Sequence, residues 1–244
     1  LDEAVVSILK QTYQDFEIII INDGSTDRAT LNKLDTYNKP KTTVIHTNNR
    51  GPSAARNTGI RAANGEYILT LDADDLFEAT FVEKAVKILE QQPNIGGVTC
   101  GIQRFGTDAT RVLPIGGDVK NFLDKTAALG NALFRKICWE QAGGYDESMK
   151  DSGFEDWNFW IDVTKRGWIV YVIPEYLFYY RRHAISRSVV SHKHRPELVR
   201  QIVRNHREVF QQYVEEVIVA KEEKMFSLRQ QKYALLNSWN YKLG

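Results

Sequence analysis

At 244 residues, with 43% apolar and 26% charged side chains, the chain has the make-up of a globular protein that buries a sizeable core as one domain or two. A formal net charge of +1 argues against a nucleic-acid partner, and Cys100 and Cys138, far apart with no CxxC, argue against a zinc site or a disulfide framework and are read as packing residues. No apolar run approaches the ~20 residues of a membrane span, and no signal-peptide pattern opens the sequence.

The spacing of Leu1, Val5, Ile8 and Leu9 predicts a helix from Leu1 to Lys10, already in mid-course because no capping residue precedes it. Phe16 to Ile21 is a continuous apolar run, the pattern of a strand buried on both faces of a parallel sheet. It ends in Asn22-Asp23-Gly24-Ser25-Thr26-Asp27, which reads as a tight turn and a helix cap. Thr43 to His46 is a second strand, followed by Asn49-Arg50-Gly51-Pro52 and a helix bearing Ala54, Arg56, Asn57 and Ile60. Glu66 to Thr70 is a third, closed by Leu71-Asp72-Ala73-Asp74-Asp75, and Phe77 to Gln91 has helical spacing.

Gly96 to Phe105 and Thr110 to Ile115 read as further strands, Asn121 to Leu129 as a short helix or lid, and Asn131 to Phe134 as another strand. Gly143 to Asp146 marks a turn, and Asn158 to Arg166 a helix ended by Gly167. Ile169 to Ile173 and Leu177 to Tyr180 read as two strands, with Arg181-Arg182-His183 after the second. From Pro196 a long helical pattern runs with Val199, Ile202, Val209, Phe210, Tyr213 and Val217 along one side. The alternation of strand, loop and helix predicts an α/β fold: a Rossmann-like, mostly parallel sheet flanked by helices, with ligands at the carboxyl ends of the strands and a C-terminal helical tail. The boundary falls near Lys193, separating residues 1–193 from a helical extension over 194–244.

Three carboxylates thus stand where a strand ends. In extended backbone residues i and i+2 point to one side, so Asp72 and Asp74 are expected to converge on a divalent metal that bridges to phosphate oxygens; the alternative is a solvated turn with Asp75 capping the next helix. Asp23 either accepts from a base N–H or holds its turn, and Arg56 pairs either with a nucleotide or with a surface acid. Glu155 and Asp156 either do acid–base work or complement a helix dipole. Trp157 is a sugar-stacking floor or a core residue, and His192-Lys193-His194 reads as solvated.

The ordered series NDGSTD, NRGPSAARNTGI, LDADD, GGYDE, FEDWNFWI and YYRRHAIS resembles the family 2 inverting glycosyltransferases of the GT-A fold, over about residues 1–190. That resemblance implies a sugar transferred from a nucleoside-diphosphate donor, most simply UDP-linked, to a saccharide or lipid-linked hydroxyl, with Mn2+ or Mg2+ as cofactor. By the same resemblance Asp23 recognises uracil, Arg56 the base or phosphate, Asp72 ribose or metal, and Asp74 the metal. His183 then reaches metal or diphosphate, Asp156 is the general base, and Glu155 orients the loop or an acceptor hydroxyl with Trp157 beside it. Arg181, Arg182 and Arg187 are candidates to neutralise diphosphate.

Two departures stand out. Asn22 replaces a common aspartate, and the family's opening strand is not seen before Leu1, so residues 1–193 are expected to be a GT-A catalytic domain lacking its first strand. The setting implied is cytoplasmic assembly of cell-surface polysaccharide, at the inner face of a membrane or free of it. The tail is expected to pack on the core, to pair two subunits as a homodimer or, least favoured, to bind a membrane surface. The rival readings are a sugar-nucleotide pyrophosphorylase, whose Gly-rich phosphate loop is not seen, and a catalytically inactive glycosyltransferase-like binding or scaffold module.

Overall fold

The computed structural model describes residues 1–149, 153–183 and 194–240. The elements in order are α1 (Asp2–Leu9), β1 (Ile18–Asp23), α2 (Arg28–Asp35), β2 (Thr42–Thr47), α3 (Pro52–Ala62), β3 (Tyr67–Leu69), β4 (Leu76–Phe77) and α4 (Phe81–Gln91). They continue with β5 (Ile95–Gly106), β6 (Arg111–Val112), α5 (Val119–Asp124), β7 (Leu133–Arg135), α6 (Lys136–Ala142), α7 (Glu155–Thr164) and β8 (Ile169–Arg182). The chain closes with α8 (Arg195–Asn205), α9 (Arg207–Gln212) and α10 (Val214–Asn240). Arg187, His192 and Lys193 lie outside the described residues.

The α/β architecture is the expected one, but the sheet is mixed where a mostly parallel one is expected, because β7, β4 and β6 enter the main sheet antiparallel to their neighbours. β1 and β2 pair in parallel as a two-stranded unit, and β3-β7-β5-β8-β4 form the main sheet with β6 against β5. Within the main sheet only β5 and β8 are parallel; β3 with β7, β5 with β7, β4 with β8 and β5 with β6 are antiparallel. The run at Ile18 to Ile21 is half-buried instead of buried on both faces, because among the described residues β2 is the one strand paired with it and α3 covers it, Gly59 lying where a Cβ would stand 3.3 Å from Ile21.

The two strands expected between Ile169 and Tyr180 are one. β8 runs through Pro174 and Glu175 by a bulge opposite Gly101, whose missing Cβ would stand 2.9 Å from the Glu175 carbonyl. The helix expected from Phe77 begins only at Phe81, since Leu76 and Phe77 pair with Tyr179 and Phe178 of β8. α6, which follows β7 without a loop, carries too few residues for a periodic signal.

Successive residues of β7 point to opposite faces, and the core divides accordingly. Leu133 packs with Phe77, Phe81, Leu89, Val98 and Phe178 under α4. Phe134 packs with Phe122, Phe159 and Trp160 under α5 and α7. Leu198 and Ile202 of α8 belong to that second cluster, and Val209, Phe210, Tyr213 and Val217 pack against it. His206, after α8, is 3% exposed: its Nε2 lies 3.0 Å from Asn158 Oδ1 and its Nδ1 3.2 Å from Lys165 Nζ. Farther on, Ile218, Phe226, Tyr233 and Leu236 of α10 are exposed. Among the described residues no helix is long and apolar enough to cross a membrane.

Candidate functional site

The segment after β3 is a turn and not extended backbone: the Asp75 N–H donates to the Asp72 carbonyl at 3.1 Å. This overturns the expected convergence of Asp72 and Asp74. Asp72 Oδ1 instead accepts from Arg56 Nη2 at 3.1 Å, while Asp74 Oδ2 meets His183 Nε2 at 3.0 Å. The implied metal set of Asp72, Asp74 and His183 is therefore brought together only in its last two members. Among the described residues no three His, Cys, Asp or Glu side chains gather at metal-binding distance. Asp74 and His183 still suit a hard divalent cation that draws its remaining ligands from water and substrate phosphates.

Asp75 does not cap α4. It is fully buried, accepts from the Arg181 N–H at 2.8 Å and from Asn131 Nδ2 at 3.1 Å, and burial, with the nearby Asp72 and Asp74 charges adding, pushes its carboxyl up to about 8. Arg181 donates from Nε to the Asp74 carbonyl at 2.9 Å, pairs with Glu3 and lies over Phe105, so it holds the turn.

On the other side of Arg56, Nη1 donates to Glu155 Oε1 at 2.8 Å, and the guanidinium lies 5.5 Å from the centre of the Tyr145 ring. The surface-pair alternative for Arg56 fails, its side chain being only 15% exposed. Between Asp72 and Glu155 its positive charge is held more firmly than in water, the two acids outweighing the cost of burial. Glu155 also accepts from the Gly153 N–H at 2.7 Å, a contact within the loop that leads into α7.

Asp156 opens α7 beside Glu155. Its Oδ2 accepts from the Gly130 N–H at 3.0 Å and its Oδ1 from the Trp157 N–H at 2.8 Å. Burial, then the charge of Glu155, raise the Asp156 pKa, with Arg56 acting against them. Burial works the same way on Glu155, but Arg56 prevails there and the net shift is downward. The two acids are thus driven apart, one toward holding a proton and one toward charge. Trp157 is a correction: it is 2% exposed, its indole N–H donates to the Phe122 carbonyl, and it packs edge-on against Phe154, so it is a core residue and not an acceptor floor.

Asp23 holds a turn, a role that does not decide its expected contact with a base. Its carboxylate accepts from the N–H groups of Arg50 at 3.0 Å and Gly51 at 2.8 Å, shaping the loop that leads into α3; none of its hydrogen bonds joins it to Arg56 or Asp72. Asp27 caps α2 through the Thr30 N–H at 2.8 Å.

Asn57 carries a role that its sequence position hints at only through adjacency to Arg56. Its buried amide donates to the Tyr145 carbonyl at 2.9 Å and to Glu147 at 3.0 Å, and accepts from the Tyr145 N–H at 2.8 Å and Trp139 Nε1 at 2.9 Å. The turn at Gly144 closes so tightly around it that a Cβ there would stand 2.9 Å from Asn57 Oδ1.

Comparison with known proteins gives the family and the fold. The sequence profile described as Glycosyl transferase family 2 matches residues 1–138. An uncharacterized glycosyltransferase of Haemophilus influenzae is 31% identical over 224 residues, 84% of this chain and 68% of that protein. The uncharacterized glycosyltransferase EpsJ of Bacillus subtilis is 30% identical over 210 residues, 79% of this chain and 60% of its own. Residues 1–349 of S. aureus TarS, solved with UDP, superpose with a TM-score of 0.63 at 18% identity, covering 74% of this chain and 56% of that one; this likeness is one of fold. The chain spans a little over half of that solved neighbour. By its matched profile, its relatives and its GT-A architecture, the chain belongs to glycosyl transferase family 2.

Proposed function

We propose that this domain transfers a sugar, with inversion, from a nucleoside-diphosphate donor to a hydroxyl of a saccharide or lipid-linked acceptor. The observation that carries this reading is the contact chain Asp72–Arg56–Glu155 running to Asp156, with the open Asp74–His183 pair one turn away. Solved TarS structures of the same fold contain UDP and UDP-GlcNAc, which makes a UDP-linked sugar the donor to test first.

Asp156 takes the proton of the acceptor hydroxyl as its oxygen bonds to the anomeric carbon. The bond from that carbon to the diphosphate breaks on the opposite face, and the diphosphate leaves. A carboxylate whose pKa is raised by burial and by Glu155 is a better proton acceptor than an exposed one. Asp74 and His183 are the residues to hold Mn2+ or Mg2+, whose charge would stabilise the departing diphosphate. Arg56 steadies the donor side through Asp72 and the acceptor side through Glu155. Residues 1–193 form the catalytic part and 194–244 the extension in this reading, which places the reaction in the cytoplasm, at or near the membrane, in polysaccharide assembly. A homodimer through α10 would cover its exposed apolar residues.

Calorimetric titration of UDP with and without Mn2+, on the natural chain and on Asp74→Ala, tests the reading. Manganese-dependent binding that the substitution weakens by roughly 10- to 100-fold is expected. Absence of nucleotide binding under every condition sinks it. UDP binding without any donor hydrolysis or transfer would favour an inactive binding module, a reading that the engagement of both Asp156 oxygens by backbone N–H groups also admits.

A further inference from the structure

Asp75 is a fully buried acidic group that the mechanism leaves unused. A carboxyl group with 0% exposure is costly to bury unless its polar atoms are hydrogen-bonded, and among the described residues no Lys, Arg or His side chain forms an ion pair with this one. Its partners are a backbone N–H and an amide, and they come from distant parts of the chain, Arg181 and Asn131. Each of the three segments that meet here bears a residue of the site. The turn holding Asp75 carries Asp72 and Asp74. The end of β8 leads from Arg181 to His183, which meets Asp74. The loop before β7 carries Gly130, whose N–H donates to Asp156 and whose carbonyl accepts from the Thr70 hydroxyl. Asn131 Oδ1 is buried without a partner, so Asp75 supplies the side-chain hydrogen bond that holds this amide.

We infer that Asp75 is a positioning residue, a buried junction that sets the Asp74–His183 pair and the Gly130 support of Asp156 in register with one another. It touches neither donor nor acceptor. An apolar residue of its size would fill the space without joining the three segments, which accounts for a carboxylate at this position in spite of its cost. The inference rests on the glycosyltransferase reading above.

The two hydrogen bonds permit a paired test. Asp75→Leu keeps much of the volume and can accept from neither the Arg181 N–H nor Asn131. Asp75→Asn keeps an oxygen for the Arg181 N–H, and its N–H2 can donate to Asn131 Oδ1, which has no other partner, once that amide turns over. UDP affinity in Mn2+ and the unfolding midpoint are measured for the natural chain and both variants. The expected result is about tenfold weaker UDP binding in Asp75→Leu and binding within about threefold of the natural chain in Asp75→Asn. An Asp75→Leu protein that binds UDP like the natural chain while melting earlier makes the residue purely structural and overturns the inference. An Asp75→Asn protein that keeps its melting point but not its affinity does the same.

If Asp75→Leu does not fold, Asn131→Ala decides, because it cuts only the loop tie. It is expected to slow donor hydrolysis about tenfold with UDP affinity retained, and unchanged hydrolysis overturns the inference. A natural chain that binds no UDP in Mn2+ instead overturns the transferase reading itself, an outcome distinct from a binding natural chain with indifferent variants.

Discussion

The two halves of the candidate site are built on opposite plans. Asp74 and His183 stand 49% and 52% exposed, each the other's partner, on a turn and a strand end. Arg56 and Glu155, by contrast, are 15% and 8% exposed, and Asp156 beside them has both oxygens engaged by backbone N–H groups. Where an ion and phosphates would enter, the protein leaves exposed donors; where a proton would move, it surrounds the acid and shifts its affinity for that proton. Preorganisation is thus concentrated on the side where a small displacement costs most in rate.

Three experiments strain this contrast, from the largest expected effect to the smallest. Asp156→Asn removes the proposed proton acceptor and retains most of the volume. It should lower transfer by about 10²- to 10⁴-fold while manganese-dependent UDP affinity stays put, a split read from turnover and calorimetry together. Equal loss of both would erase the distinction between the halves.

Asn57→Ala attacks the enclosed half from behind. Its amide hydrogen bonds vanish, the Trp139 indole and both Tyr145 backbone groups lose their partner, and the ring beneath Arg56 is released. A loss of about 3 kcal/mol in chemical denaturation is expected. A loss below about 1 kcal/mol would mean that the turn at Gly144 is held by something other than this amide.

The smallest effect concerns the far side of α7. Burial, with Lys165 and Arg166 acting in the same direction and Asp162 against, lowers the His206 pKa to about 4 from 6.5. The unfolded chain therefore binds the extra proton between those values, so this part of the stability is full above about pH 6.5 and is lost as pH falls toward 4. His206→Gln should flatten that stretch of a plot of unfolding free energy against pH by about 2 kcal/mol, since a tenfold change in proton affinity is worth about 1.4 kcal/mol and relaxation around the charged ring recovers part of the total. An unchanged plot would move the proton-linked stability elsewhere.

Much of this was readable in the residues. The apolar runs at Ile18 to Ile21 and Tyr67 to Leu69, each closed by small polar residues, located two strand ends, and the order of motifs identified the family. What failed did so for physical reasons. Asp72 and Asp74 were expected side by side because extended backbone was assumed; a single hydrogen bond from Asp75 turns the chain and sends one carboxylate to α3 and the other to the end of β8. Trp157 as platform or core depends on whether a carbonyl such as that of Phe122 lies within reach, which no local pattern encodes. The same holds for Asp75, whose burial comes from segments far along the chain.

The seating of Leu198 and Ile202 in the cluster that holds Phe159 and Trp160 bears on how the chain can be cut. All the family motifs end before α8, and a fragment trimmed to them would keep every residue discussed as chemistry. It would also bare the apolar back of α7, leave Asn158 without His206 and Asn205, and strip Asp146 and Ser148 of the contacts that Asn205 and Gln201 give them. For expression, limited proteolysis or domain grafting, the shortest workable fragment is therefore longer than the stretch that carries the signature.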